Sequence, residues 1–263
     1  MTAPTDPPRA AAFIVSVFGD VVVPRGGSLW TGDLVALCAV QGIGEGPVRT
    51  AVSRLAAAGR LEGVRRGRRS FHRLAGAAEA EFARAARRIY DPPPRPGGWL
   101  LTPEGAAAPD GWARVGDWAM APDAPGTARP RAPVFAAGAA SGGFAGRAAA
   151  AWGLDAIAAG YHAFLQAPCA QEGAGEGDPL GARVRLVHEF RLVLLRDPWL
   201  PADARPADWP GEAARARFAA RYLALSEAAD TAASGLEGLD GPLPRQSAAT
   251  RRRLETLQAT ASE

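Results

Sequence analysis

The sequence predicts an α+β chain in three folded parts, and three observations predict it. Apolar residues recur at helical spacing through most of the chain, in stretches closed by glycine or proline. Short strand-like stretches interrupt that rhythm near residues 61–74 and 98–121. Positive charge also gathers in one place. Between Ile43 and Arg73 stand eight arginines (49, 54, 60, 65, 66, 68, 69 and 73) against Glu45 and Glu62. That segment carries +6 in 31 residues, while the rest of the chain sums to −3.

Composition bounds the answer. The chain has 263 residues, 48% hydrophobic and 22% charged, which is a globular balance with length for several small cores. No run of 18 apolar residues is present, so no membrane span is expected. Residues 1–9 are rich in Pro and Thr and are expected to be disordered. The apolar stretch Ala10–Val23 is broken by Ser16, Gly19 and Asp20 and lacks a small-residue cleavage pattern. It therefore does not read as a signal peptide, and a cytoplasmic protein is expected. Cys38 and Cys169 are expected to be buried thiols rather than a disulfide. All 30 basic residues are arginine, alongside abundant Ala, Gly and Pro, so arginine content alone says little. Its location says more: a polyanion-binding module in the N-terminal quarter.

Residues 10–76 supply the order such a module needs. Ala10–Phe18 reads as a first helix, with Phe13, Ile14, Val17 and Phe18 on one face. Pro24, Gly26 and Gly27 open a loop. Thr31 is expected to cap a second helix that Gln41-Gly42 ends. A third runs from about Gly46 to Ala58, with Pro47 in its first turn. At 100° per residue, Val48, Ala51, Val52 and Leu55 share one face, and Arg49, Thr50, Ser53 and Arg54 the other. Short hydroxyl side chains let such a helix sit deep in a major groove, and arginine reaches guanine edges or phosphates. Leu61–Val64 and Ser70–Leu74 then read as two strands around Arg65-Arg66-Gly67-Arg68-Arg69. Arginines crowded at a turn repel one another and favour a site where phosphates neutralise them. Helix, helix, polar-faced helix and basic hairpin together predict a winged helix-turn-helix. The expected double-stranded-DNA contacts are Arg49, Thr50, Ser53, Arg54, Arg65, Arg66, Arg68, Arg69 and Ser70.

Several motifs in this order carry a family resemblance. They are Gly19-Asp20, Val23-Pro24-Arg25-Gly26-Gly27, Val48-Arg49-Thr50-Ala51-Val52-Ser53-Arg54-Leu55 and Gly67-Arg68-Arg69-Ser70. Further along come Ala151-Trp152-Gly153-Leu154, Leu186-Val187-His188-Glu189-Phe190-Arg191, Arg196-Asp197-Pro198 and Asp208-Trp209-Pro210-Gly211. Over most of residues 10–230 the chain resembles the PaaX-type regulators, repressors of phenylacetic acid degradation operons. The resemblance implies a homodimeric repressor with a winged-helix domain, a ferredoxin-like middle domain and a C-terminal helical domain. It also implies release by an aryl-CoA thioester of the phenylacetyl-CoA type.

The rest of the chain is divided accordingly. Residues 77–95 form a linking helix, Ala77–Tyr90, and a Pro-rich linker. Residues 96–140 form a reduced ferredoxin-like region: Gly98–Thr102 and Trp112–Ala121 read as strands. The Pro103–Gly111 segment between them is too short for a crossover helix with its connections. Residues 141–234 read as a helical domain with helices over Phe144–Gln166, Leu180–Leu195 and Glu212–Asp230. Trp152, Tyr161, His188, Arg191 and Arg196 are its candidate effector residues, aromatics for an acyl group and arginines for CoA phosphates. The competing reading makes them packing and bracing residues. Residues 235–263 are expected to be a flexible tail, with a helix open over Thr250–Ala259.

Catalytic signatures are missing. There is no G-x-x-x-x-G-K, no G-x-S-x-G and no metal-spaced Cys/His set, and His72, His162 and His188 are the only histidines. The Gly138–Gly143 stretch reads as a loop. No cofactor and no enzymatic activity are expected. Two alternatives stand beside the repressor: an enzyme acting on acyl-CoA thioesters with a regulatory DNA-binding module, and an architectural DNA-binding protein without a small ligand.

Overall fold

The computed structural model describes residues 8–92, 94–138, 144–167 and 177–262. Cys169, most of the loop from Gly138 to Gly143 and most of the N-terminal stretch expected to be disordered lie outside them. The chain is α+β. It divides into two units, one of Met1–Asp91, Ala167–Arg191 and Arg215–Glu263, the other of Pro92–Gln166 and Leu192–Ala214.

In the first unit, α1 (Ala10–Val17) buries Phe13, Ile14 and Val17. It runs on through a π turn at Phe18–Val22 and a 3-10 turn at Val23–Arg25. Gly26 at φ 123° and Gly27 at φ 84° then release the chain into β1 (Ser28–Trp30). Helix α2 (Thr31–Ala39) follows. Thr31 does not cap it; its hydroxyl donates to the Ser70 carbonyl at 2.7 Å, fastening the helix to the third strand. Helix α3 (Glu45–Ala57) comes next, then β2 (Leu61–Arg66) and β3 (Arg69–Leu74). The sheet is antiparallel in the order β1-β3-β2. The strands are longer than the sequence suggests, so only Gly67 and Arg68 lie between them. Helix α4 (Gly76–Tyr90) closes the N-terminal part.

Helices α1, α2 and α3 share one core with Leu61, Phe82, Leu180, Val184 and Leu243. Within it Val48 and Leu34 are fully buried, each worth roughly 1.5–3 kcal/mol against exposure. Later elements are α7 (Pro179–Leu194), α8 (Gly211–Ala233), the short hairpin β8–β9 (Glu237–Gly238, Gly241–Pro242) and α9 (Ala248–Ser262). The segment expected to be a flexible tail is therefore built. Leu243, Thr250 and Leu257 are buried, which supplies the apolar contact that its polar composition hides.

The second unit holds a four-stranded antiparallel sheet in the order β5-β6-β4-β7. Its strands are β4 (Trp99–Thr102), β5 (Ala113–Val115), β6 (Trp118–Pro122) and β7 (Phe135–Ala137). The single strand expected over Trp112–Ala121 is a hairpin, because Gly116 takes φ 64° at its turn. Between β4 and β5 lies one 3-10 turn, Gly105–Ala107. The helix expected over Phe144–Gln166 is two, α5 (Phe144–Trp152) and α6 (Leu154–Gln166), broken where Gly153 adopts φ 61°.

Candidate nucleic-acid interface

Helix α3 offers the face its sequence pattern predicts. Val48, Ala51, Val52 and Leu55 are buried, while Arg49, Thr50, Ser53 and Arg54 are exposed. Gly42 at φ 75° turns the chain between α2 and α3, and the Ile43 N–H donates to the Cys38 carbonyl at 3.0 Å. Cys38 itself is buried, and burial pushes its thiol up to about 12, so it is inert filling under the turn.

The β2–β3 ribbon follows in the chain. Its register places Arg66 opposite Arg69 and Arg65 opposite Ser70, with Gly67 at φ 60° making the tip. All five of the polar residues expected there, Arg65, Arg66, Arg68, Arg69 and Ser70, are exposed. Phe71 on the same strand is buried and anchors the ribbon to the core. His72 lies beside Gly63, and burial holds its ring below its ordinary value.

The electrostatics are more finely divided than the sequence tally. Arg49 pairs with Glu45 one turn back at 2.6 Å, Arg73 with Glu62 across the ribbon at 2.8 Å, and Arg60 with Glu81 at 2.9 Å. Arg69 is paired with Glu237 and lies 4.8 Å over the Trp30 ring. Arg66 donates to the Leu239 carbonyl. Arg54, Arg65 and Arg68 have no ion pair or hydrogen bond among the described residues. Of the eight arginines between residues 43 and 73, those left unengaged among the described residues therefore sit on α3 and on the ribbon. Sequence reasoning missed Glu237 and Leu239, which lie far from the ribbon in the chain, in a stretch that carries no motif.

The candidate effector residues are divided between the two units. Trp152, Tyr161 and Arg196 belong to one unit, and His188 and Arg191 to the other. Tyr161 is buried and its hydroxyl donates to Asp197 at 3.0 Å. The His188 ring nitrogen Nδ1 and the Ser16 hydroxyl are 3.0 Å apart, and Arg191 donates to the Ser16 hydroxyl and to the Ala12 carbonyl. Trp152 is half-buried, with its N–H 3.4 Å from the Gly111 carbonyl, and Arg196 is exposed. Among the described residues no group of three His, Cys, Asp or Glu is placed to hold a metal ion. No helix there is long and apolar enough to cross a membrane.

An exposed arginine- and hydroxyl-bearing helix followed by a basic ribbon defines a module suited to a polyanion. Residues 9–78 match the family model of the PaaX-like protein, and residues 152–235 match that of the PaaX-like protein C-terminal domain. The chain is 31% identical over 246 residues to the transcriptional repressor PaaX of Escherichia coli (strain K12), covering 80% of this chain and 78% of that one. It belongs to the PaaX-like family. It also resembles the solved structure of the uncharacterized protein Rv0674 from Mycobacterium tuberculosis, with a TM-score of 0.49 and 22% identity, over 84% of this chain and 97% of that one.

Proposed function

We propose that this chain is a cytoplasmic transcriptional repressor that binds double-stranded DNA and controls genes of phenylacetate catabolism. Helices α2 and α3 with the β1-β3-β2 sheet act as a winged helix-turn-helix. In this reading Arg49, Thr50, Ser53 and Arg54 meet base edges in the major groove. Arg65, Arg66, Arg68, Arg69 and Ser70 meet the sugar–phosphate backbone. The observation that carries the reading is the exposed polar face of α3, whose opposite face is locked into the core by Val48, Val52 and Leu55. A helix so held presents its outer side chains at little further ordering cost.

The chain acts as a homodimer on a two-fold site and is released by an aryl-CoA thioester. The middle sheet stands for a reduced ferredoxin-like domain. Of the residues expected to hold the effector, Tyr161, His188 and Arg191 have polar atoms engaged internally. Trp152 also donates its N–H to the Gly111 carbonyl, so Arg196, which is exposed, is the first to test for effector binding. The experiment is a fluorescence-anisotropy titration with duplex fragments from upstream of its own gene, with and without phenylacetyl-CoA. Tight, salt-dependent binding that the thioester reverses is the expected result. Binding that ignores salt removes the DNA reading, and binding that ignores the thioester removes the effector.

A further inference from the structure

The wing arginines do not share one environment, and the difference comes from the far end of the chain. In the β2–β3 ribbon Arg66 and Arg69 are cross-strand partners and leave the same face, whereas Arg65 and Ser70 leave the other. The Glu237 carboxylate accepts from Arg69, and the Leu239 carbonyl accepts from Arg66. The segment bearing these acceptors is itself fastened. The Glu237 N–H donates to Asp33 at 2.7 Å, and the Leu239 N–H to the Ser28 hydroxyl at 2.8 Å. The Leu243 N–H donates to the Leu236 carbonyl at 2.8 Å, and the Leu243 side chain is buried. Between them Gly238 passes so close that a Cβ there would stand 3.3 Å from the Ser28 carbonyl oxygen. A carboxylate and a carbonyl are thus held against two wing arginines, offering the oxygen acceptors a phosphodiester would offer.

We infer that Glu237, with the Leu239 carbonyl, is a competitor for the DNA backbone that occupies Arg69 and Arg66 and so sets the affinity of the wing. The inference rests on the DNA-binding reading. The Arg69–Glu237 pair is open to solvent, with side chains 52% and 41% exposed, and exposed pairs are weak enough for phosphate to displace. Arg65 and Arg68 are unengaged among the described residues and make the first contact. Once displaced, the carboxylate stays beside the wing because Asp33 and Ser28 hold its backbone. It then repels the phosphate from well inside a Debye length.

The test uses the full chain and a generic duplex of about 30 bp, read by anisotropy between roughly 50 and 200 mM salt. Glu237→Gln keeps the shape of the side chain and removes its charge. It is expected to bind about twofold to fivefold tighter, with a steeper salt slope. Arg69→Ala is expected to lose more affinity in the Glu237→Gln chain than in the native one. Asp240→Asn removes the same charge from the neighbouring turn and is expected to leave the cost of Arg69→Ala as it is in the native chain. Equal or weaker binding by Glu237→Gln, with a native melting curve, overturns the inference. So does an Arg69→Ala cost that is the same in both backgrounds, a comparison that holds even if Glu237→Gln melts lower. Absence of salt-dependent binding by native and variant chains alike is a different result, because it removes the DNA reading and this inference with it.

Discussion

Arg183 donates to Asp20 across 3.0 Å, and neither side chain is more than 1% exposed. The pair sits at the centre of a wider network in the first unit. Asp20 also accepts from Tyr90 at 2.9 Å and Tyr222 at 2.8 Å, and Arg183 donates to Asp230 at 2.6 Å. Arg25 pairs with Asp230, and Arg253 donates to the Gly19 carbonyl at 3.0 Å. The π turn after α1, α4, α7, α8 and α9 are therefore joined at one buried point. Burial pushes the Asp20 carboxyl up, but Arg183, Arg253, Tyr222 and Arg25 outweigh it and hold it below its ordinary value.

Removing one member leaves the others charged and buried. Asp20→Ala is expected to destabilise the chain by about 3–5 kcal/mol, because three guanidinium groups lose their shared counter-charge. The double variant Asp20→Leu with Arg183→Met is expected to cost less than the sum of its parts. Urea unfolding followed by circular dichroism measures both. A loss below about 1 kcal/mol for Asp20→Ala contradicts the tying role, because breaking a buried ion pair costs several times that.

His188 gives a pH dependence in a separate window. Burial, then Arg191 and Arg185, lower its ring from an ordinary 6.5 to about 4. Between those values the unfolded chain binds a proton that the folded chain refuses. Stability is therefore expected to fall as pH drops from about 6.5 toward 4 and to level off below, as far as this residue is concerned. Asp20 contributes lower down. Its folded value is depressed, so its contribution is present above 3.8 and is lost as pH falls further. His188→Leu keeps apolar bulk beside Phe13, whose ring centroid lies 5.5 Å from the imidazole. The variant is expected to flatten the slope between about 6.5 and 4. A slope unchanged by the substitution assigns it to another group.

What the sequence made legible was what local rules govern. The buried face of α3 follows from a 3.6-residue period, and the β2–β3 ribbon from alternation around Gly67. The acidic partners were not legible in the same way. Arg49 and Glu45 are one helical turn apart and readable, but Arg69 and Glu237 meet through tertiary packing alone. Thr31 had the residue type of a cap, yet the cap position falls on Trp30; Thr31 stands in the first turn of α2, and its hydroxyl donates to the Ser70 carbonyl. The C-terminal segment looked too polar to fold. Leu243 and Leu257 are buried, its backbone N–H groups bond to Ser28 and Asp33, and Arg253 joins the buried network around Asp20.

Gly67 sets the shape of the ribbon tip. Its φ of 60° is the left-handed region, and a Cβ there would meet nothing within 4 Å, so the penalty for another residue is backbone strain alone. Gly67→Ala is expected to cost about 1–2 kcal/mol in thermal unfolding, and Gly67→Asn less, because asparagine tolerates that region. The reverse order points to a packing role for the glycine.

The paired and unpaired arginines are expected to separate in DNA binding. Arg54 is exposed and unengaged among the described residues, while Arg49 already spends part of its charge on Glu45. Binding through Arg49 requires breaking or sharing that pair; binding through Arg54 does not. Arg54→Ala is therefore expected to cost about 1–3 kcal/mol on a specific duplex, with Arg49→Ala costing less. Arg65→Ala and Arg68→Ala touch backbone only in this reading. They are expected to weaken specific and generic duplexes alike and to lower the salt slope by about 1 for each phosphate that is no longer neutralised. Arg73 is bound to Glu62 on the ribbon, so Arg73→Ala serves as the control that leaves the slope unchanged. Anisotropy titrations at three or more salt concentrations measure the set. An Arg54→Ala protein that binds as tightly as the native one removes α3 from the groove, and an unchanged slope in Arg65→Ala and Arg68→Ala removes the wing from the backbone.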